Sequence, residues 1–417
     1  MSFDALWAEL APIGRDARTG GYRRHAWTAA DIACREWFVA TADARGLEVE
    51  TDRNGNLWAW WGDPRAGDVL AVGSHLDSVP DGGAFDGPLG VVSAFAAIDE
   101  VRAREVVPTR PIAVIAFSDE EGARFGVACS GSRLLTGALA ADRARALRDD
   151  DGTTMAEAMS AAGHDPHRIG AEPDRLARIG TFLELHIEQG RIGIETAAGP
   201  VHGLAGLNRP VGVASAIWPH GRWRIDIAGR ADHAGTTRLE DRDDPMLVLG
   251  ATILAAREAA LRHEALATIG KVTVEPNGVN AIARHVTGWL DARGADRERV
   301  RALVADLAAN VEVTEESWTD ATVFDRTLRD TIASAVGSAP ILPTGAGHDA
   351  GILSAAGVPS AMLFVRNRTG ISHSPSEHAE RDDCLAGVDA LATAIAVLAA
   401  RDGTPVDRPD RDQGPGR

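Results

Sequence analysis

Cysteine, net positive charge and long apolar runs are all scarce in this chain, and each shortage removes a class of protein. Cys34, Cys129 and Cys384 lie far apart with no CxxC spacing, so neither a disulfide framework nor a thiolate zinc site is indicated. Lys and Arg number 43 against 60 Asp and Glu, a formal charge of −17. That balance argues against nucleic acid or an anionic membrane as partner, since both require clustered cationic side chains. No run of about eighteen apolar residues occurs, and the opening MSFDALWAEL lacks the basic and apolar regions of a signal peptide. The chain reads as a soluble cytoplasmic protein whose partner is a small molecule. No internal repeat is visible.

What remains is an ordinary globular composition, 45% apolar and 25% charged with 44 Gly and 20 Pro over 417 residues, enough for two domains. Residues 26–46 place Trp27, Ala30, Ile32, Ala33, Trp37 and Phe38 at mixed three and four spacing, which predicts an amphipathic helix. Short apolar runs follow at Val69–Val72, Ile112–Phe117, Phe182–Leu185 and Ala361–Val365, alternating with helical stretches such as Val91–Val101. This pattern predicts an α/β sheet. Each run leads into a polar, acidic or Gly-rich segment, GSHLDS, SDEEG, HIEQG and RNRTGISHS. Ligands of α/β folds bind at the carboxyl ends of strands, so these four segments are predicted to meet.

Between residues 217 and 325 the pattern changes. Strand-like WRIDIAG, a helix from Asp244 to Arg262, strand-like GKVTV and HVTGWLDAR, and a helix from Asp296 to Asn310 suit an inserted α+β unit of ferredoxin-like type. The catalytic sheet is expected to resume near Asp330. The organisation predicted is therefore a catalytic domain from 1–216 and 326–401, an inserted domain over 217–325, and a disordered Pro-, Gly-, Asp- and Arg-rich tail from 402–417.

His75, Asp77 and Asp86 fall in GSHLDSVPDGGAFDGPLG, Glu120 and Glu121 in SDEEG, His186 in HIEQG and His373 in ISHSPSE. A lone strand-end His is usually a hydrogen-bonding residue, and a lone Glu pair is usually a solvated turn. Three imidazoles and several carboxylates delivered by four strand ends are harder to read as surface decoration. The donors include no thiolate, which suits zinc, manganese, nickel or cobalt in a reactive site and leaves the ion open.

At these residues the chain resembles the M20 metallopeptidase family, in its branch of N-carbamoyl-L-amino-acid hydrolases, allantoate amidohydrolases and β-ureidopropionases. GSHLDSVPDGGAFDGPLGV, DEEGARF, ELHIEQG, HAGTT, GAGHDA and GISHSPSE stand in the family's order, and the match covers nearly the whole chain. The resemblance implies a mixed-sheet, aminopeptidase-like catalytic domain with a lid and dimerisation domain inserted in it, and a homodimer. It implies two divalent metal ions per subunit, one on His75, Asp86 and His186, the other on Asp86, Glu121 and His373, with Asp86 bridging. His186 marks the carbamoyl-amide branch, because related peptidases carry an acidic residue there. Glu120 would be the general base, Asp77 would fix the tautomer of the His75 ring, and His233 of HAGTT would hold the oxyanion, often from the partner subunit. Gln189, Asn280, Arg293 and the backbone at Gly370 would bind a small carboxylate substrate, Arg through its planar fork of donors. His348 and Asp349 would support the site from behind.

Two departures bear on specificity. The link RIGIETAAGPVHGLAGLNRP is longer than the family's usual one, and Arg238 stands after HAGTT where the family commonly has Pro, a positive charge that points to an acidic substrate. The function implied is hydrolysis of the linear C–N amide of an N-carbamoyl-L-amino acid or a ureido acid such as allantoate. The alternatives are an N-formyl or N-acyl amino acid hydrolase, a dipeptidase, and a catalytically silent protein that binds amino-acid derivatives.

Overall fold

The computed structural model describes residues 2–196 and 199–400; the segment from 402 expected to be disordered lies outside them. The described residues form two compact units. One runs through Ser215 and takes in Val323–Thr344 and the residues from His348; the other is Ala216–Thr322 with Gly345–Gly347.

The first unit is built on a mixed sheet. Its strands lie in the order Glu48–Thr51, Leu57–Trp61, Ile112–Phe117, Val69–His75, Ile179–Ile187, Ser360–Val365, Val211–Ile217 and Thr322–Val323, and Ile341–Thr344 also pairs with Val211–Ile217. The four middle strands from Ile112–Phe117 to Ser360–Val365 are parallel. Val69–His75, Ile112–Phe117 and Ser360–Val365 are buried at every position, which is why they are legible as continuous apolar runs: a parallel strand covered on both faces has no polar side to show. They are the strands expected from the sequence, and their carboxyl ends lie along one edge.

Helix Pro88–Ala103 crosses the sheet and is buried on nearly all sides. Pro88 starts it where no amide hydrogen bond is required. Gly90 allows it to lie close to the sheet, since a Cβ there would stand 2.2 Å from the Leu185 carbonyl oxygen. Helix Arg381–Ala399 packs on it, and Phe95, Ile98, Leu185, Leu363, Leu391 and Ile395 share one core. Each such side chain, fully buried, contributes about 1.5–3 kcal/mol.

The second unit is an antiparallel sheet in the order Leu266–Glu275, His285–Arg293, His220–Ala228, Glu312–Thr319, with helices Pro245–His263 and Arg297–Ala308. Burial alternates along His220–Ala228 and His285–Arg293, so one face buries Trp223, Ile225, Val286 and Leu290 against Leu249, Ala256, Val300 and Leu303 of the helices. Asp244 and Asp296 cap those helices by accepting the amides of Met246 and Arg299. The β-α-β-β-α-β order and this strand arrangement are ferredoxin-like, as the sequence suggested.

One expectation fails. Asp330 lies in helix Arg326–Ala335, and sheet pairing resumes at Thr322–Val323 and again at Ile341–Thr344. Leu328, Ile332 and Ala333 give that segment a buried helical stripe. Strand Glu312–Thr319 was not anticipated, because its side chains are mostly polar and exposed. Among the described residues no helix is long and apolar enough to cross a membrane.

Candidate metal centre

His75 ends strand Val69–His75, where Gly73 permits a backbone approach that a Cβ would block at 1.9 Å from the Ile115 oxygen. Its Nδ1 lies 3.2 Å from the Asp77 carbonyl oxygen, and His186 Nδ1 lies 2.9 Å from the Ile187 carbonyl oxygen. Each carbonyl suits a proton on Nδ1, and Nε2 of both rings faces the carboxylates, the side from which a neutral ring would bind a cation. Asp77 does more than the sequence suggested. Its carboxylate stands 3.5 Å from His75 Nδ1, farther than its own carbonyl, and accepts the amides of Glu120 and Glu121 at 3.1 Å each.

Asp86 divides its two oxygens. Oδ1 faces His186 Nε2 at 3.2 Å and His75 Nε2 at 4.0 Å. Oδ2 faces His373 Nε2 at 3.4 Å, which in turn lies 3.7 Å from Glu121 Oε2. Two donor groups result, His75–Asp86–His186 and Asp86–Glu121–His373, each with its atoms within 4.8 Å of one another. Ligands about 2.1 Å from a tetrahedral ion stand about 3.4 Å apart, so these separations fit one cation in each group. Glu121 Oε1 is buried with no hydrogen-bond partner among the described residues, as an atom reserved for a cation would be.

A third group, Glu184–His186–His348, is equally tight. Glu184 uses its oxygens otherwise, accepting Ser74 Oγ and the Ala350 amide at 2.9 Å each. It supports the floor beneath His186.

Charge points the same way. Burial pushes Glu120 up to about 7, with Asp77, Glu184 and Asp86 adding to the rise against the His75 ring. Glu121 is raised by burial and then by Asp86 and Glu120. Burial pushes Asp86 up as well, but His186, His373 and His75 outweigh it and hold the carboxyl well below its ordinary value. So many carboxylates in one dry place require cations or protons. Glu120 Oε2 stands 3.7 Å from His75 Nε2, beside the first donor group.

Gln189 Nε2 donates to Asp86 Oδ2 at 2.9 Å and to Ser372 Oγ at 3.1 Å. The Gly370 amide donates to Asn367 Oδ1, and the lack of a side chain lets Arg191 lie against it, since a Cβ there would stand 2.7 Å from Arg191 Cγ. His75, Asp77, Asp86, Glu120, Glu121, His186, Gln189 and His373 are thus interlocked in the first unit, with Gly370 two residues before Ser372.

His233, Asn280 and Arg293 belong to the second unit. There the Ala234 amide donates to the Asn280 carbonyl at 3.0 Å. His233 Nδ1 accepts the Gly235 amide at 3.0 Å, which leaves the proton on an exposed Nε2. The Arg293 guanidinium is held by the Asp291 carboxylate and the Gly345 carbonyl; its strand is interior to the sheet and is not an edge. Arg238 is paired with Glu240, so the free positive charge expected there is largely cancelled. Within the long link, strands Gly193–Thr196 and Gly199–His202 pair antiparallel, and the short helix Gly203–Leu207 follows.

Sequence reasoning missed Glu377. It is buried, and its Oε1 accepts the amides of both Phe85 and Asp86 at 3.0 Å, while Ser372 Oγ bonds its Oε2. It ties the Asp86 loop to the His373 loop.

The profile of peptidase family M20/M25/M40 matches residues 71–397. The chain belongs to this family. It is 35% identical to an N-carbamoyl-L-amino acid amidohydrolase of Geobacillus stearothermophilus, over 95% of this chain and 98% of that one. To an allantoate amidohydrolase of Escherichia coli K12 it is 30% identical, over 94% and 96%. A crystal structure of an amidase of the hydantoinase/carbamoylase family from Burkholderia vietnamiensis superposes with a TM-score of 0.85 at 28% identity, over 96% and 98%. This M20 chain is a hydrolase.

Proposed function

We propose that this M20 chain hydrolyses the linear C–N amide of an N-carbamoyl-L-amino acid or a ureido acid such as allantoate, with two divalent cations per subunit. The observation that carries the proposal is Asp86 giving one oxygen to each of two imidazole and carboxylate groups, with buried Glu120 beside them. Its full-length relatives named for such substrates support the choice of bond. The donor chemistry admits zinc, manganese, nickel or cobalt.

His75, Asp86 and His186 would hold one ion, and Asp86, Glu121 and His373 the other. The ions would supply Lewis acidity toward the carbonyl and lower the pKa of water. The chain's own groups do the rest. Glu120 takes the proton from the attacking water and delivers it to the leaving nitrogen, and Asp77 fixes the amides of Glu120 and Glu121 while it does so. His233, with its proton on Nε2, donates to the oxyanion. Gln189, Gly370, Asn280 and Arg293 bind the substrate's carboxylate and ureido groups.

The chain acts as a homodimer on this reading. Helix Pro245–His263 exposes Leu247, Leu254 and Leu261 at 72%, 66% and 72%, a seven-residue spacing of leucines on one helix face that favours a covering partner.

The test is ammonia or amino-acid release by cation-loaded protein from N-carbamoyl-L-amino acids, allantoate, an N-formyl amino acid and a dipeptide. Turnover of a ureido substrate is expected, falling about 10²-fold or more in Glu120→Gln with both cations retained by elemental analysis. A doubly loaded protein that cleaves none of the ureido compounds overturns the proposal.

A further inference from the structure

Glu120 is held at three points. Its amide donates to Asp77 and its carbonyl accepts the Cys129 amide. The third contact is at the carboxylate itself: Cys129 Sγ lies 3.2 Å from Glu120 Oε1, with both residues buried. The loop after the strand is built for this. The consecutive amides of Cys129, Ser130 and Gly131 donate to the consecutive carbonyls of Glu120, Asp119 and Ser118. Cys129 sits in the left-handed region at φ 56°, and its own carbonyl accepts Ser132 Oγ at 3.2 Å. Residue 129 is thus clasped to residue 120 by main chain and side chain together.

The main-chain bonds fix where the Glu120 side chain starts and not how its carboxylate turns, because the last torsion of a glutamate is broad and roughly two-fold. The thiol contact takes up that freedom. Burial, then Glu120 and Asp349, keep the Cys129 thiol well above its ordinary pKa, so it stays an S–H donor.

We infer that Cys129 is a positioning residue, whose thiol donates to Oε1 of Glu120 and turns Oε2 toward the His75 side of the metal centre. The inference rests on the reading of Glu120 as the base.

Cys129→Ala and Cys129→Ser are compared in the full cation-loaded protein on its best ureido substrate. Cys129→Ala should lower kcat about three- to ten-fold, the effect of losing one modest hydrogen bond, with KM and cation content unchanged. Cys129→Ser, which restores a donor, should recover most of the rate. In a Glu120→Gln background Cys129→Ala should cost nothing further.

Infrared spectroscopy provides a readout independent of turnover. The S–H stretch lost in Cys129→Ala should lie at the low frequency of a bonded thiol and rise in Glu120→Gln. Wild-type kcat in Cys129→Ala, a serine variant no better than alanine, or a thiol band already at the unbonded frequency would each overturn the inference. If Cys129→Ala does not fold, the serine variant and the band in Glu120→Gln still decide it. Failure of the base assignment would show separately, as full activity in Glu120→Gln.

Discussion

The amides of Phe85 and Asp86 share one acceptor, Glu377 Oε1. Removing it leaves two donors unpaired and lets the loop that carries Asp86 drift from the loop that carries His373. Glu377→Ala should weaken cation binding about 10- to 100-fold, as loss of supporting bonds around ligands does, and Glu377→Gln, which keeps an accepting oxygen, should weaken it less. Calorimetric titration of a divalent cation into chelator-treated protein measures both. At this scale much of the candidate site was legible, because His75, Glu120, Glu121 and His186 lie in the short polar segments into which apolar runs lead. Glu377 was not. A glutamate after Ser-Pro-Ser reads as a solvated turn, and the amide it serves at Asp86 lies 291 residues away in sequence.

Among whole elements, legibility followed burial. The parallel strands announce themselves as unbroken apolar runs, and the two inner strands of the inserted unit, His220–Ala228 and His285–Arg293, as alternation. Helix Arg381–Ala399 went unread because Ala and Gly crowd it on several sides, leaving little contrast between faces. Helix Pro245–His263 carries a prediction of its own. Leu254→Asp, in the middle of the exposed leucine row and away from the buried Leu249 and Ala256 face, should leave the subunit folded and shift it to monomer. Light scattering after gel filtration gives the mass, and an unchanged dimer would show that this face is not the interface.

For the molecule as a whole, the crowd of acids couples folding to pH. Without cations Glu120 and Glu377 are each pushed up to about 7, by burial first and then by neighbouring carboxylates. The folded form then binds these protons more tightly than the unfolded chain. The stability they contribute is full below the ordinary glutamate pKa of about 4.3 and is lost as pH rises through about 7. His75 and His186, raised by their acidic neighbours against burial, run the same way, and Asp86, which is lowered, acts only below this window. The thermal midpoint of chelator-treated protein should therefore fall between pH 5 and pH 8, and divalent cations should restore it at the upper end; a flat profile would contradict the coupling. The junction between the two units has a different consequence. The Phe324 amide donates to the Ser215 carbonyl at 3.2 Å, so the chain leaves the catalytic sheet and returns to it at neighbouring points. In modular terms the inserted unit is a cassette, spliced where an ordinary tight turn could have stood. Replacing residues 218–321 with a short Gly-rich turn should give a shortened chain that melts cooperatively and still takes up cations. Lacking His233, Asn280 and Arg293, it should turn over no substrate, which would separate the holding of the reactive centre from its use.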